Sequence, residues 1–375
     1  MNSKRILKLW LAVLPIVLSA VAVAYNGNTS YQSYYHRYLE IIPQHLDNKG
    51  RNGGMQRSTV NVAFVKNQKS TPELIALGAS PSLQQVEAGE KASPQGDFTD
   101  IDIPMEKVVH RVDIVYGGGW VAVANAFAGG DKIRLYMRGA DSTRFIPKGE
   151  ISLKAQAVSL RFHWYKTNWE LLVGTSNNEV FAYSIINGVP VFRTFRKLQS
   201  SPSVLTCTQD NAWLIAGSTN IELVPMDDWQ KSYPIGLPSP ASAITVIDDS
   251  HFVVGLLKNL DVLVFSTGIP TRPPIRLTGN PARVNCLVFC KGTNCLIAGD
   301  ESGNMTLWKW QKEGRFKVDA VQVIKAKQQP DEGHVNGIGA MALSLDQEQK
   351  WLASVGIRGA LYLWNTESLL RGARL

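Results

Sequence analysis

Apolar and polar residues alternate in short bursts along most of the chain, and the bursts come in pairs. "STVNVAFV" is followed by "PELIALGA", "VVHRVDIVY" by "WVAVANA", and "AVSLRFHW" by "WELLVGTS". Then come "PSVLTCT" with "AWLIAGST", "SAITVID" with "HFVVGLL", "RVNCLVFC" with "CLIAGDE", and "IGAMALSL" with "KWLASVG". Alternation at period two over five to eight residues predicts half-buried strands. Each second strand closes on small residues. Gly174, Gly217, Gly255 and Gly299 mark four of these ends, recurring at intervals of roughly 40 residues.

A third alternating burst follows most pairs: "KIRLYMR", "EVFAYSI", "IELVPM", "LDVLVFS", "NMTLWKW" and "ALYLWNT". "SLQQVEA" holds that place weakly in the first unit. A fourth, outer strand is expected in connectors such as "DFTDIDI" (97–103) and "PPIRLTG" (273–279). Seven such units, built from strands alone, predict an all-β, seven-bladed β-propeller over residues 58–375. Only "NTESLLRGARL" follows Trp364. The outer strand of the last blade is therefore expected either from Ser368–Arg371 or from the N-terminal side.

The last unit, "GHVNGIGAMALSLDQEQKWLASVGIRGALYLWN", resembles a WD repeat over its whole length, through Gly333-His334, Ser354 and Trp364. "ARVNCLVFCKGTNCLIAGDESGNMTLWKW" resembles one more loosely, through Trp308, and the other units share only strands and small residues. The resemblance implies a WD-repeat-like propeller that docks other proteins. In that family an Asp in the turn after the second strand links His, Ser and Trp by hydrogen bonds. Here the equivalent places hold Arg358 in the last unit, Ser302 in the sixth and Asn177 in the third. Arginine has donors and no acceptor, so it cannot receive a proton from His334. Such a blade is expected to rely on packing, with Arg358 turned away from His334.

The N-terminus changes the picture most. "MNSKRILKLWLAVLPIVLSAVAVAYN" starts basic and is apolar from Leu9 to Ala24, a helix of about 24 Å. Residues 1–25 read as a signal peptide or a membrane anchor: either a secretory signal cleaved near Ala22–Ala24, or a single uncleaved anchor extended to Ile6 and Tyr25. Both place the rest of the chain across a membrane, extracytoplasmic or tethered to it. Residues 26–57 read as a linker. Tyr31, Tyr34, Tyr35 and Tyr38 share one side of a short helix there, suited to a membrane interface, to a partner, or to the propeller itself. The propeller is thus preceded by an N-terminal apolar helix.

Charge adds little. The formal net charge is +8, but Lys4, Arg5 and Lys8 lie in the N-terminal segment and no Lys/Arg run exceeds two residues, so no nucleic-acid partner is expected. Of the four Cys, Cys290 and Cys295 flank a four-residue loop and are expected opposite each other, either bridged or as free buried thiols.

No metal or cofactor is implied. His110 and His163 lie in first strands and read as structural, Asp113 stands alone, and Asp248-Asp249 close a turn. "YGGGW" (116–120) lacks the Lys-Ser/Thr of a phosphate loop. A noncatalytic protein–protein interaction platform is therefore the leading reading, with an exported lactonase- or glycan-hydrolase-type enzyme and a small-ligand sensor as alternatives. Arg111, Arg283, His334 and Arg358, with Lys197 in a connector, are expected to form a mildly basic rim for an acidic protein surface.

Overall fold

In the computed structural model, residues 145–268 and 272–311 are described without interruption, together with shorter stretches between 59 and 371. The N-terminal segment and the linker up to residue 58 lie outside the described residues. No helix among the described residues is long and apolar enough to cross a membrane.

The strands form antiparallel sheets in strict chain order. The first sheet is β1 (Thr59–Lys66), β2 (Pro72–Gly78), β3 (Leu83–Glu87) and β4 (Thr99–Ile101). The second is β5 (Ile114–Gly117), β6 (Trp120–Ala124), β7 (Lys132–Arg138) and β8 (Phe145–Ser152), and the third β9 (Ala157–Tyr165), β10 (Asn168–Thr175), β11 (Glu179–Ile186) and β12 (Val189–Lys197). The fourth is β13 (Val204–Cys207), β14 (Trp213–Gly217), β15 (Asn220–Pro225) and β16 (Tyr233–Gly236). The fifth is β17 (Ala241–Val246), β18 (His251–Leu256), β19 (Val262–Ser266) and β20 (Ile275–Leu277). The sixth is β21 (Val284–Cys290), β22 (Cys295–Asp300) and β23 (Met305–Gln311), whose outer edge is shared by β24 (Arg315–Phe316) and β25 (Gln322–Ile324). The last is β26 (Ile338–Leu343), β27 (Trp351–Gly356) and β28 (Leu361–Asn365), followed by helix α1 (Thr366–Arg371). The outer strands expected in 97–103 and 273–279 are β4 and β20.

The first strand of each sheet packs against the first strand of the next, and β26 returns to β1. The sheets therefore stand radially around a closed ring, with outer strands on the circumference. The core is a series of slabs between neighbouring sheets: Leu135 and Ile151 meet Leu171 and Val173, for example, and Val254 and Phe252 meet Ile215 and Leu223. Second strands are sandwiched on both faces, which is why β6, β22 and β27 are buried at every position. Outer strands have no such cover, and β12 is exposed or half-exposed throughout.

The recurring glycines gain their meaning here. A Cβ on Gly255 would lie 2.9 Å from Val284 Cγ1, and one on Gly299 would lie 2.9 Å from Ile338 Cγ2. Gly217 meets Ile244 in the same way, and Gly174 meets Pro202. Each small residue thus marks the closest approach of the following blade.

Six sheets carry four or more strands, and the last carries three. The expectation of seven complete blades is corrected to that extent. Ser368–Arg371 cannot supply the missing strand, because Thr366 ends the extended run. Its N–H donates to Lys350 O at 2.9 Å and its Oγ1 to Gln349 O at 2.8 Å. Glu367 then sits in the first turn of α1, where a carboxylate favours a helix N-terminus, and Leu369 is buried against the last slab.

Candidate functional site

One face of the ring carries the turns between second and third strands and the connectors that lead from one sheet to the next. Lys197 and Arg283 belong to this face. Lys197 is exposed at the end of β12, next to the turn at Asn178, whose carbonyl accepts the Leu198 N–H at 2.7 Å. Arg283 is half-buried, and its Nη2 lies 3.1 Å from Glu301 Oε2. Its charge is already matched within the chain. Arg111, His334 and Arg358 lie outside the described residues, as do His110 and Asp113. The two described members of the expected rim are not brought together, since one ends the third sheet and the other precedes the sixth.

The same face presents features that charge reasoning missed. The β18–β19 turn projects Leu257 and Leu260, exposed by 39% and 50%, on either side of Lys258 and Asn259. The apolar "GLLKNL" in an exposed turn was the available signal. Nearby, Asn220 Nδ2 donates to Gln199 Oε1 and Ser200 Oγ to Asn220 Oδ1, both at 3.0 Å. Buried Glu222 accepts the Gln199 N–H at 2.6 Å. These bonds fix the loop between the third and fourth sheets and give the face a rigid polar floor.

The densest polar constellation lies deeper, between the third and fourth sheets. Glu170 on β10 is buried. Ser184 Oγ donates to its Oε1 at 2.7 Å and Arg193 Nη2 to its Oε2 at 3.0 Å. Arg193 Nε stands 2.7 Å from Oε1, and His163 Nε2 stands 3.3 Å from Oε2 without an aligned hydrogen bond. His163 Nδ1 faces Asn211 Oδ1 of the fourth sheet at 3.3 Å. The Arg193 guanidinium lies over the rings of Tyr165 and Trp229. Burial by itself would raise the Glu170 carboxyl, but His163, Ser184 and Arg193 together hold it below the usual carboxylate range. A buried carboxylate held by Ser184 and Arg193 in this way acts as a clamp within the third blade at its border with the fourth. His163 thus lies between Glu170 of its own sheet and Asn211 of the next.

One bond of the polar lock is present in the last blade. Trp364 Nε1 donates to buried Ser354 Oγ at 2.7 Å. In the sixth blade Trp308 Nε1 bonds instead to the Thr278 carbonyl at 2.8 Å. Its turn is tied by Asp300, which accepts the N–H groups of Ser302 and Asn304 at 2.9 and 2.8 Å and the Asn304 amide at 2.7 Å. Asp248 closes its own turn, accepting the Ser250 N–H at 2.8 Å and lying 3.0 Å from His251 Nδ1.

Cys290 and Cys295 are register partners across β21 and β22, and both are free, buried thiols. Burial pushes the Cys295 thiol up to about 12. Among the described residues, no three His, Cys, Asp or Glu side chains are grouped to hold a metal ion.

No family model matches the sequence, and no curated protein resembles it. Solved structures do. A crystal structure of the WD40 β-propeller domain of Doa1 superposes with a TM-score of 0.60, covering 84% of this chain and 95% of that one, at 12% identity. The fold is a WD40-like β-propeller. At that identity the likeness extends to the propeller's architecture alone, and the departures in the polar lock agree with so distant a relation.

Proposed function

We propose that this propeller is a noncatalytic protein–protein interaction platform, with the face bearing Leu257 and Leu260 as its docking surface. The observation that carries this reading is an exposed apolar turn on a rigid, hydrogen-bonded polar face of a WD40-like propeller. Large apolar side chains held in place lose little freedom on binding and gain by desolvation. Lys197 and Lys258 flank this surface with positive charge, which suits an acidic partner. Arg111, His334 and Arg358 belong to the same proposal as basic members of the rim, whereas Arg283 enters it with its charge matched by Glu301.

Two further elements complete the reading. The three-stranded last sheet counts as the seventh blade, because its first strand occupies a place in the ring between β21 and β1. The basic and apolar N-terminal segment tethers or exports the chain, so the platform works across the membrane from the N-terminus as a subunit of a larger assembly.

Affinity purification of the full-length protein from solubilised membranes tests the proposal. Leu257→Asp with Leu260→Asp should lose the recovered partner while melting at the same temperature as the wild type. Undiminished recovery would remove this face as the docking surface.

A further inference from the structure

The circumference of the ring carries a second apolar surface. β12 is nine residues long, against four for β16 and three for β20. It exposes Val189, Val191, Phe192 and Phe195 by 53%, 43%, 54% and 50%. On the face turned toward the second sheet, Phe195 stacks on Phe181 at 5.9 Å and Phe192 meets Tyr183 edge-on at 6.0 Å. Phe181 and Tyr183 pack inward on the slab with Leu153. The outer pair is thus held in place by partly buried rings, yet left about half exposed. The other outer strands carry no comparable patch among the described residues, for β8 and β16 each expose a single large apolar residue, Ile146 and Tyr233.

Three exposed lysines stand around this patch. Lys148 on β8 stands at its lower end, beside the Asn187-Gly188 turn. Lys154 follows Leu153 in the connector, and Lys197 ends β12. All three are exposed, and none enters an ion pair among the described residues. By contrast, Glu150 is held by Lys132 and Arg134, Arg193 is held by Glu170, and Arg196 bonds to Trp229 O and Ser232 Oγ. Glu179 stands opposite Lys197 in register but forms no ion pair with it. The neighbourhood therefore presents unmatched positive charge around aromatic side chains.

Four occupants compete for such a surface. An added strand is hindered twice, since Pro190 has no N–H and a bulge interrupts the register at Arg193. A lipid bilayer would have to take the unpaired backbone row of β12 into hydrocarbon, where polar groups find no partner. A second copy of this chain would set the three lysines of one molecule near those of the other, because a two-fold interface joins identical patches. A helix satisfies its own backbone and brings only side chains. We propose that the β12 edge binds an acidic amphipathic helix of a partner protein, with apolar residues against Phe192 and Phe195 and carboxylates toward Lys148, Lys154 and Lys197. This rests on the reading that the propeller docks proteins, and it adds a second apolar surface that shares only Lys197 with the one at Leu257 and Leu260.

The probe is a pair of 18-residue helical peptides with one common apolar face. One carries Glu on its polar face and the other Lys. Anisotropy titration of the full-length protein should show the Glu peptide binding at least tenfold tighter. Phe192→Ser with Phe195→Ser should weaken it at least tenfold at unchanged melting temperature. Lys148→Glu, Lys154→Glu and Lys197→Glu together should abolish the preference for the Glu peptide. Leu257→Asp with Leu260→Asp should leave the titration unchanged, so the two surfaces fail or succeed separately. Equal binding of both peptides, or no effect of the Phe pair, would overturn the proposal. So would a Phe pair that changes only capture by phosphatidylserine vesicles, or only the mass of the particle in solution, since lipid or a second copy would then be the occupant.

Discussion

Replacing Glu170 by Gln keeps the shape of the clamp in the third blade at its border with the fourth and removes its charge. Fully buried ion pairs cost about 3–5 kcal/mol when one partner is lost, whereas exposed pairs cost about 0–1 kcal/mol. Glu170 is at the buried limit, but the Arg193 side chain is 26% exposed and can recover water. Glu170→Gln is therefore expected to cost about 2–3 kcal/mol at pH 7, between those limits. For a chain of 375 residues unfolding as one unit, the melting entropy is about 0.8 kcal/mol/K, so the midpoint falls by roughly 3–4 °C.

The pH dependence gives a sharper check. The folded Glu170 carboxyl lies below its ordinary range, so its contribution is complete above the unfolded pKa and disappears as pH falls through the folded one. Scanning calorimetry from pH 7 downward should show wild type and Glu170→Gln converging below about pH 4. A double-mutant cycle with Arg193→Met should return a coupling of at least about 1 kcal/mol at pH 7. Equal midpoints at pH 7, or a gap that widens on acidification, would refute the reasoning.

Two further outcomes follow from the packing. Gly299→Ala places a methyl 2.9 Å from Ile338 Cγ2 and 2.8 Å from Cys286 Sγ, and should destabilise by about 1–3 kcal/mol in chemical denaturation; an unchanged midpoint would show that the sixth and last sheets separate freely. Ser354→Ala leaves the Trp364 Nε1–H without its acceptor, and should cost about 1–3 kcal/mol and shift the tryptophan emission; wild-type stability would mean that the last blade is held by packing alone.

The strand pairs were legible because second strands are buried on both faces and must end where the next blade comes close. That constraint writes a run of apolar residues and a glycine into each unit, from "LLVGTS" to "CLIAGD". Outer strands were legible only where they fell between clear turns, since a strand of three or four residues such as β16 or β20 has no room for periodicity. Of the two expected ends of the last blade, the strand at Ser368–Arg371 gives way to a helix because Thr366 bonds to carbonyls at residues 349 and 350, a contact that exists only once β27 and β28 are paired. The clamp was invisible for a related reason. Glu170 and Arg193 sit on strands that meet through β11, and no local spacing announces the pair. At Arg283 formal charge was counted without its neighbour Glu301, which only the folded chain brings to 3.1 Å.

The return of β26 to β1 has a mechanical meaning. In an open stack of repeats, a wedge at one joint rotates everything beyond it and costs nothing further. A closed circuit has no free end, so the angles between successive blades must add to one full rotation. Widening the joint at Gly255 must be taken up by narrowing others, and at Gly174, Gly217 and Gly299 the next blade already lies too close to admit a Cβ. The blades of this protein are therefore coupled through geometry even where they share no contact, and local loosening is resisted by the whole circumference.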